Sequence, residues 1–383
     1  MIIENVKGFK DFLGEDALKR ERLKQIMIKQ FRNYGFLPAE TPIIEYEEFV
    51  KGENASDEAV SDIFRLKDKG QRNLALRYEL TFQLKRIAKN KKLPYKRYQI
   101  GEVFRDEPVS SNRYREFTQC DIDVIGSSFR DEAEVLKLFS KILDEVNLGA
   151  IIYINNRNLL NEILEKENIK EKDQVLRELD KLDKLPEADV KINLAKFNAE
   201  KLISIFKKPE NFFKKYDNYK EIEELKNYCD YFGVKVVFSP TLVRGLSYYN
   251  GSVFEIRLKD IKGSIAGGGS YLIDGIQSTG ISFGLERFSS LVNIDINNTK
   301  CLIISINQNK ETINLAEKLR DSGISVVLND KISKGLDYAN AYGIHYVIFV
   351  GSDEVKNKKF KLKDMKSGKE EFLSEKELIM RSI

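Results

Sequence analysis

The chain has 383 residues, 42% hydrophobic and 32% charged, with 64 basic against 60 acidic side chains for a net charge of +4. This is the composition of a soluble globular protein with room for two or three domains. The slight basic excess permits a nucleic-acid partner without demanding one. A single histidine, His345, and three scattered cysteines, Cys120, Cys229 and Cys301, leave almost nothing from which to build a Cys/His zinc site, a Ser-His-Asp hydrolase or a disulfide framework. The start, MIIENVKGFKDF, lacks a signal-peptide profile, and no apolar run reaches membrane-spanning length. A cytoplasmic protein with no membrane partner is expected.

Over residues 15–34, Leu18, Leu23, Ile26, Met27 and Phe31 recur at helical spacing, and Gly35 supplies a stop. Pro38 and Pro42 then rule out more helix in FLPAETPIIEYEEF. A helix running into such a segment is either an ordinary packing helix or an interface element. IFRLKDKGQRNLALRYELTF predicts two strands about a turn at Asp68-Lys69-Gly70. Arg77, Glu79 and Thr81 follow, where strand gives way to helix. A carboxylate there either binds an ammonium group or favours a helix N-terminus.

YKRYQIGEVFRDEPVSSNRYREFTQCDIDVIG predicts two strands about a loop at residues 108–112. Arg105 and Glu107 lead into the loop; Arg113 and Arg115 leave it. Phe117, Gln119, Asp121 and Asp123 alternate with Thr118, Cys120 and Ile122, which puts the first four on one strand face. Such a face costs too much to bury without partners, so it meets water or lines a polar pocket. The flanking guanidinium groups suit phosphate, because they bind oxyanions in bidentate fashion.

A helix over residues 131–148 and the strand AIIYINN come next. Residues 157–230 read as a helical insertion whose mixed charges form a solvated face. The strand GVKVVFSP leads into LVRGLSYYNGSVFEI, SIAGGGSYLIDGIQSTG and ISFGLERF. Placing Arg244, Arg287, Tyr248, Tyr249 and Tyr271 among strand residues and glycines is the pattern of a lined pocket. Gly267, Gly268 and Gly269 either let backbone approach a ligand or bend a strand. After residue 298 the segments KCLIISINQ, KETINLAEKLRDSG, ISVVLND, SKGLDYANAYG and HYVIFVGSDE alternate β-α-β-α-β, predicting a small α/β domain with a largely parallel sheet. His345, in the run IHYVIFV, is expected to be a packed imidazole. A hairpin turning at Ser367-Gly368 and a short helix follow. Lys356, Lys358, Lys359, Lys361, Lys363, Lys366 and Lys369 make this the most basic patch, either a solvated edge or a contact to RNA backbone.

These residues carry a family resemblance. VFRDE, the loop and RYREF resemble motif 2 of class II aminoacyl-tRNA synthetases; GISFGLER resembles motif 3; the first helix with Pro42 resembles motif 1, the dimer element. LVRGLSYYNGSVFE resembles the signature of histidyl-tRNA synthetases, and LRYE, REFTQCDIDV and AGGG-Y resemble that family in its archaeal and eukaryotic style. The terminal domain is similar to the family's anticodon-binding domain. The resemblance implies an α+β fold. A class II catalytic domain with an antiparallel sheet would occupy residues 1–148 (motifs 1 and 2) and 233–297 (histidine signature and motif 3). A mainly helical insertion would occupy 149–232, and an α/β anticodon-binding domain 298–383. It also implies a homodimer that converts L-histidine and ATP to histidyl-adenylate and passes the histidyl group to tRNA(His), with Mg2+ accompanying ATP and no dedicated protein metal site.

By this resemblance, Arg105 and Arg244 are the catalytic pair gripping the α-phosphate, with Arg244 substituting for a metal and also reaching histidine. Arg113 faces the phosphates, and Arg287 holds the γ-phosphate end and stacks on adenine. Glu107 accepts from the adenine amino group, and Phe117 stacks on the ring. Glu79, Thr81 and Gln119 take the ammonium and carboxylate of histidine. Asp123 and Tyr249 take its ring nitrogens, and Tyr248 and Tyr271 close the pocket. An acid at one nitrogen and a phenol at the other discriminate imidazole from an apolar ring, because losing either bond strands a buried polar group. The sequence departs from the family pattern at Ser247 (LSYY for LDYY), at Ser270 and Leu272 (GGSYL for GGRYD), at Tyr78 (LRYE for LRPE) and at Asn112. An alternative is a non-catalytic paralogue resembling the regulatory subunit of ATP phosphoribosyltransferase, a histidine-sensing protein that usually lacks the terminal domain. A decayed RNA-binding relative is a third reading, and it would have lost the ATP residues retained here.

Overall fold

A computed structural model describes residues 3–52, 58–110, 113–183, 185–243, 248–259, 261, 263–294, 296 and 300–381. The chain divides into two compact units, Met1–Ile294 and Asp295–Ile383. The strands of the first are β1 (Leu37–Pro38), β2 (Ile44–Tyr46), β3 (Arg65–Lys67), β4 (Asn73–Leu76), β5 (Tyr95–Phe104), β6 (Glu116–Ile125), β7 (Ile151–Asn156), β8 (Val236–Phe238), β9 (Tyr249–Arg257), β10 (Ser264–Ile273) and β11 (Ile276–Gly284).

Eight of these form one sheet in the order β1-β5-β6-β11-β10-β9-β7-β8. From β5 to β7 every neighbour is antiparallel, but the outer pairs β1–β5 and β7–β8 are parallel. The expected antiparallel sheet is therefore mixed at both margins. The chain reaches each outer partner by a long crossover, which sets strands parallel, whereas the β5–β6 and β10–β11 links are hairpins. A small antiparallel sheet, β2-β4-β3, stands beside it.

Two helices cover the back of the large sheet. Gly14–Asn33 buries Leu23, Ile26, Met27 and Phe31 at the spacing read from sequence. It ends where Gly35 takes φ +77 and Phe36 N–H donates back to Phe31 O, a left-handed stop that glycine adopts without strain. Phe129–Glu145 begins with a capping box between Ser128 and Asp131. Its Phe139 stacks on Phe283 of β11 with centroids 4.4 Å apart. The helices Arg157–Lys166, Lys172–Leu179, Glu187–Ala195, Leu202–Phe206 and Tyr219–Tyr231 make up the helical segment. Their Leu160, Leu176, Leu194 and Leu202 belong to the same apolar cluster as Ile122, Ile154 and Phe254 of the sheet. The segment extends the main core rather than building its own.

The second unit contains β12 (Lys300–Ser305), β13 (Ser325–Asn329), β14 (Tyr346–Val350), β15 (Phe360–Asp364) and β16 (Glu370–Leu373), in the order β13-β12-β14-β15-β16. The first three are parallel, joined through helices Asn309–Asp321 and Ile332–Ala341; the hairpin β15–β16 adds two antiparallel strands. Cys301 and Ile303 pack on one side of the sheet, Leu302 and Ile304 on the other. Burial on both faces explains the unbroken apolar runs seen in the sequence. His345 is exposed, not packed. The strand starts one residue later, at Tyr346, and the His345 backbone carbonyl accepts from Met365 N–H at 2.8 Å.

Candidate active site

A cavity of about 610 Å³ opens on the large sheet. The period-two face of β6 forms its floor: Phe117, Gln119, Asp121 and Asp123 all line it. Arg105, Glu107 and Arg113 enter from the loop between β5 and β6, Glu79 and Thr81 from the segment after β4, and Tyr248 and Tyr249 from the start of β9. Tyr271 comes from β10 and Arg287 from helix Leu285–Leu291. Every candidate named from sequence is thus gathered in one place, except Arg244. That residue and Ser247 lie outside the described residues, as do Ser111 and Asn112 of the loop.

The glycine cluster is the interior of β10, and close packing demands it. A Cβ on Gly268 would overlap Gly280 O and lie 2.7 Å from Ile281 Cα; one on Gly269 would lie 2.8 Å from the Tyr249 ring. On β11, a Cβ on Gly280 would overlap Asp123 Oδ1 and lie 2.8 Å from Ile122 O. The pairing of β10 with β9 also slips between Gly269 and Tyr271, an irregularity of the kind that glycine in a strand often marks.

At one end of the cavity Asp123 is almost fully buried. Arg97 of β5, its register partner, places Nη2 2.7 Å from Asp123 Oδ2 and donates to Leu80 O at 2.7 Å. The Tyr271 hydroxyl donates to Asp123 Oδ1. Burial pushes the Asp123 carboxyl up, opposed by Arg97 and the Tyr271 hydrogen bond. The Tyr271 phenol is pushed well up by burial and then by Asp123, and Tyr248 by burial and then Glu79. Both therefore stay protonated as donors. Tyr248 packs edge-on against Tyr271 at 5.6 Å and tilted against Tyr249 at 4.8 Å. The buried Oε1 of Gln119 has no hydrogen-bond partner among the described residues, which leaves an acceptor for a ligand.

The other end is cationic. Arg105 Nε donates to Tyr78 O at 3.1 Å, and its guanidinium lies 5.2 Å from the Phe117 ring centroid. Glu107 stands 3.9 Å from Arg105 Nη1 and 3.6 Å from Arg113 Nη1. Burial lowers the Arg287 pKa, and the nearby charge of Arg113 adds to it against Glu255. Converging guanidinium groups of this kind suit an oxyanion.

The sequence placed Asp121 on the pocket face without giving it a role, and it did not mark Glu286 or Arg20. Asp121 shares the floor, accepts from the Ser282 hydroxyl and is pushed up to about 7, chiefly by burial, with Arg97 opposing; its signal was the same alternation that singled out Asp123. Glu286 lines the cavity and accepts from Thr118 N–H at 3.1 and 3.0 Å and from Arg20 Nη1 at 2.7 Å. No local signal marks Arg20, which reads as one more helix residue. The departures at Ser270 and Leu272 fall off the cavity. The Ser270 hydroxyl donates to the buried Glu132 behind the sheet, and Leu272 is 49% exposed.

The sequence profile described as histidyl-tRNA synthetase matches residues 8–288, and that of the anticodon binding domain matches residues 300–381. The chain belongs to the histidyl-tRNA synthetase family. Among this synthetase's relatives, Histidine--tRNA ligase 1 of Bacillus cereus (strain ATCC 10987 / NRS 248) is 35% identical over 97% of this chain and 95% of its own length. Histidine--tRNA ligase of Helicobacter pylori (strain G27) is 33% identical over 95% and 94%. The crystal structure of histidyl-tRNA synthetase from Nostoc sp. PCC 7120 matches with a TM-score of 0.87 at 26% identity, covering 100% of both chains. A structure from Bacillus halodurans C, described as an ATP phosphoribosyltransferase regulatory subunit/histidyl-tRNA synthetase, matches with a TM-score of 0.77 at 22% identity over 91% of this synthetase and 98% of that chain, a likeness of fold. The named relatives are bacterial, so the archaeal and eukaryotic style of the motifs finds no support in them.

Proposed function

We propose that the cavity is where this histidine–tRNA ligase makes histidyl-adenylate from L-histidine and ATP, before passing the histidyl group to the 3′ end of tRNA(His). The observation that carries this reading is the meeting, in one cavity, of a buried hydrogen-bonded carboxylate with a group of guanidinium side chains. A histidine carboxylate oxygen attacks the α-phosphorus. The new O–P bond forms as the bond to the bridging oxygen breaks and pyrophosphate leaves. The nucleophile is already ionised, so the protein's task is to align the groups and stabilise charge on the phosphoryl oxygens.

In this scheme Arg105 grips the α-phosphate, with Arg244 assigned to its other side. Arg113 and Arg287 take the outer phosphates, Glu107 takes the adenine amino group, and Phe117 stacks on the base. Glu79, Thr81 and Gln119 hold the ammonium and carboxylate of histidine. Asp123 and Tyr249 take the ring nitrogens. Each carboxylate oxygen has two lone pairs, so Asp123 can accept an imidazole N–H while still held by Arg97 and Tyr271. Tyr248 and Tyr271 wall the ring. In this scheme Mg2+ accompanies ATP, on its phosphates.

Residues 1–148 and 233–297 are assigned to catalysis, 149–232 to the helical insertion and 298–383 to anticodon binding. A homodimer is supported by the exposed apolar side chains of Leu37, Ile43, Ile44 and Tyr46, just after the first helix. A cytoplasmic location belongs to this reading. No helix among the described residues is long and apolar enough to cross a membrane.

Histidine-dependent exchange of pyrophosphate into ATP tests the reading. Exchange that requires histidine is expected. Histidine binding without any exchange, by folded protein, would instead favour the histidine-sensing paralogue.

A further inference from the structure

We infer that Arg20 is a positioning residue for the nucleotide half of the site, acting through Glu286; the inference rests on the reading of the cavity given above. Arg20 lies on the first helix and is only 9% exposed. Its guanidinium makes three contacts at once. Nη1 donates to Glu286 Oε1 at 2.7 Å, Nη2 donates to Thr118 Oγ1 at 2.9 Å, and Cζ sits 3.8 Å from the Phe12 ring centroid. Glu286 in turn accepts from Thr118 N–H through both oxygens. The first helix, β6 and helix Leu285–Leu291 are thereby tied together at one nearly buried carboxylate.

What this clamp holds gives it a function. Thr118 stands between Phe117 and Gln119 on β6. Its side chain points to the opposite face, and the amide that Glu286 holds belongs to the peptide shared with Phe117, so the clamp fixes the residue assigned to the adenine ring. Glu286 immediately precedes Arg287, at the start of its helix. The side chains of Arg20 and Glu286 are 11% and 7% exposed. Removing one partner of such a pair leaves the other's charge uncompensated in a poorly solvated place. Glu286 would then seek another cation. Arg287, Lys10 and Lys19 line the same small cavity as Glu286. Arg287 drawn toward Glu286 is Arg287 drawn away from phosphate. Lysine at position 20 would keep the charge but lacks the planar fork that reaches Glu286 and Thr118 together.

The test compares Arg20→Lys and Arg20→Ala with the wild type in the full-length protein. ATP KM and kcat are measured by pyrophosphate exchange at saturating histidine. ATP and histidine affinities are each measured by calorimetry. The ATP KM and Kd are expected to rise about tenfold or more in Arg20→Ala and by a smaller factor in Arg20→Lys, with histidine Kd changed less than about twofold. Combining Arg20→Ala with Glu286→Gln should weaken ATP binding less than the two effects added. Unchanged ATP affinity in both variants overturns the inference. So does equal loss of ATP and histidine affinity, which a merely structural role would give. If Arg20→Ala does not fold, Arg20→Lys decides. If the wild type shows no exchange, the functional reading fails on its own, and the ATP Kd values still judge Arg20.

Discussion

Glu132→Gln should flatten a pH dependence of stability that the wild type carries. Glu132 sits on helix Phe129–Glu145, 4% exposed, where the Ser270 hydroxyl donates to it. Burial pushes its carboxyl from 4.5 to about 7; hydrogen bonds from Ser252 and Ser270 oppose this, and Glu221 and Asp131 reinforce it. Between those two values the native protein holds a proton that the unfolded chain has released. Stability therefore falls as pH rises through this window, by about 1.4 kcal/mol per pH unit. The whole window amounts to about 3 kcal/mol. Glutamine keeps the shape and cannot ionise. The stability of wild type minus variant should thus drop by about 3 kcal/mol from about pH 4.5 to about pH 8. Urea unfolding followed by tyrosine emission measures it, since the chain has 17 Tyr and no Trp. A difference that stays flat with pH, or rises, would refute the argument.

Two further substitutions probe the cavity floor. Gly280→Ala places a methyl group against Asp123 Oδ1 and Ile122 O. It should cost about 1–3 kcal/mol of stability by overpacking and sharply raise KM for histidine, as read by thermal unfolding and exchange kinetics. Tyr271→Phe removes the hydroxyl that donates to buried Asp123. A loss of about 1–3 kcal/mol in histidine binding is expected, seen as a rise in histidine KM of roughly 5- to 150-fold with ATP KM unchanged; an unchanged histidine KM would show that Asp123 does not need this donor.

Much of the site was legible in the sequence because its signals are local. The alternation of Phe117, Gln119, Asp121 and Asp123 follows from strand geometry alone and needs no neighbour. The stop at Gly35, the turn at Gly368 and the apolar runs of β12 and β14 are likewise set within a few residues. Tertiary structure alone decided which side chains meet across the chain. Arg97 faces Asp123 because β5 and β6 pair in that register, and Tyr271 reaches it only because β11 pairs with β6 and β10 with β11 in the same sheet. Arg20 and Glu286 are 266 positions apart, and nothing near either one announces the other. His345 shows the same limit in reverse, since the apolar run holding it pointed inward while the fold buries its neighbour Ile344 and leaves His345 facing out. Periodicity and turn chemistry act between near neighbours, so the sequence displays them. Buried charge is compensated by whatever strand or helix packs alongside, and only the assembled fold brings that partner in.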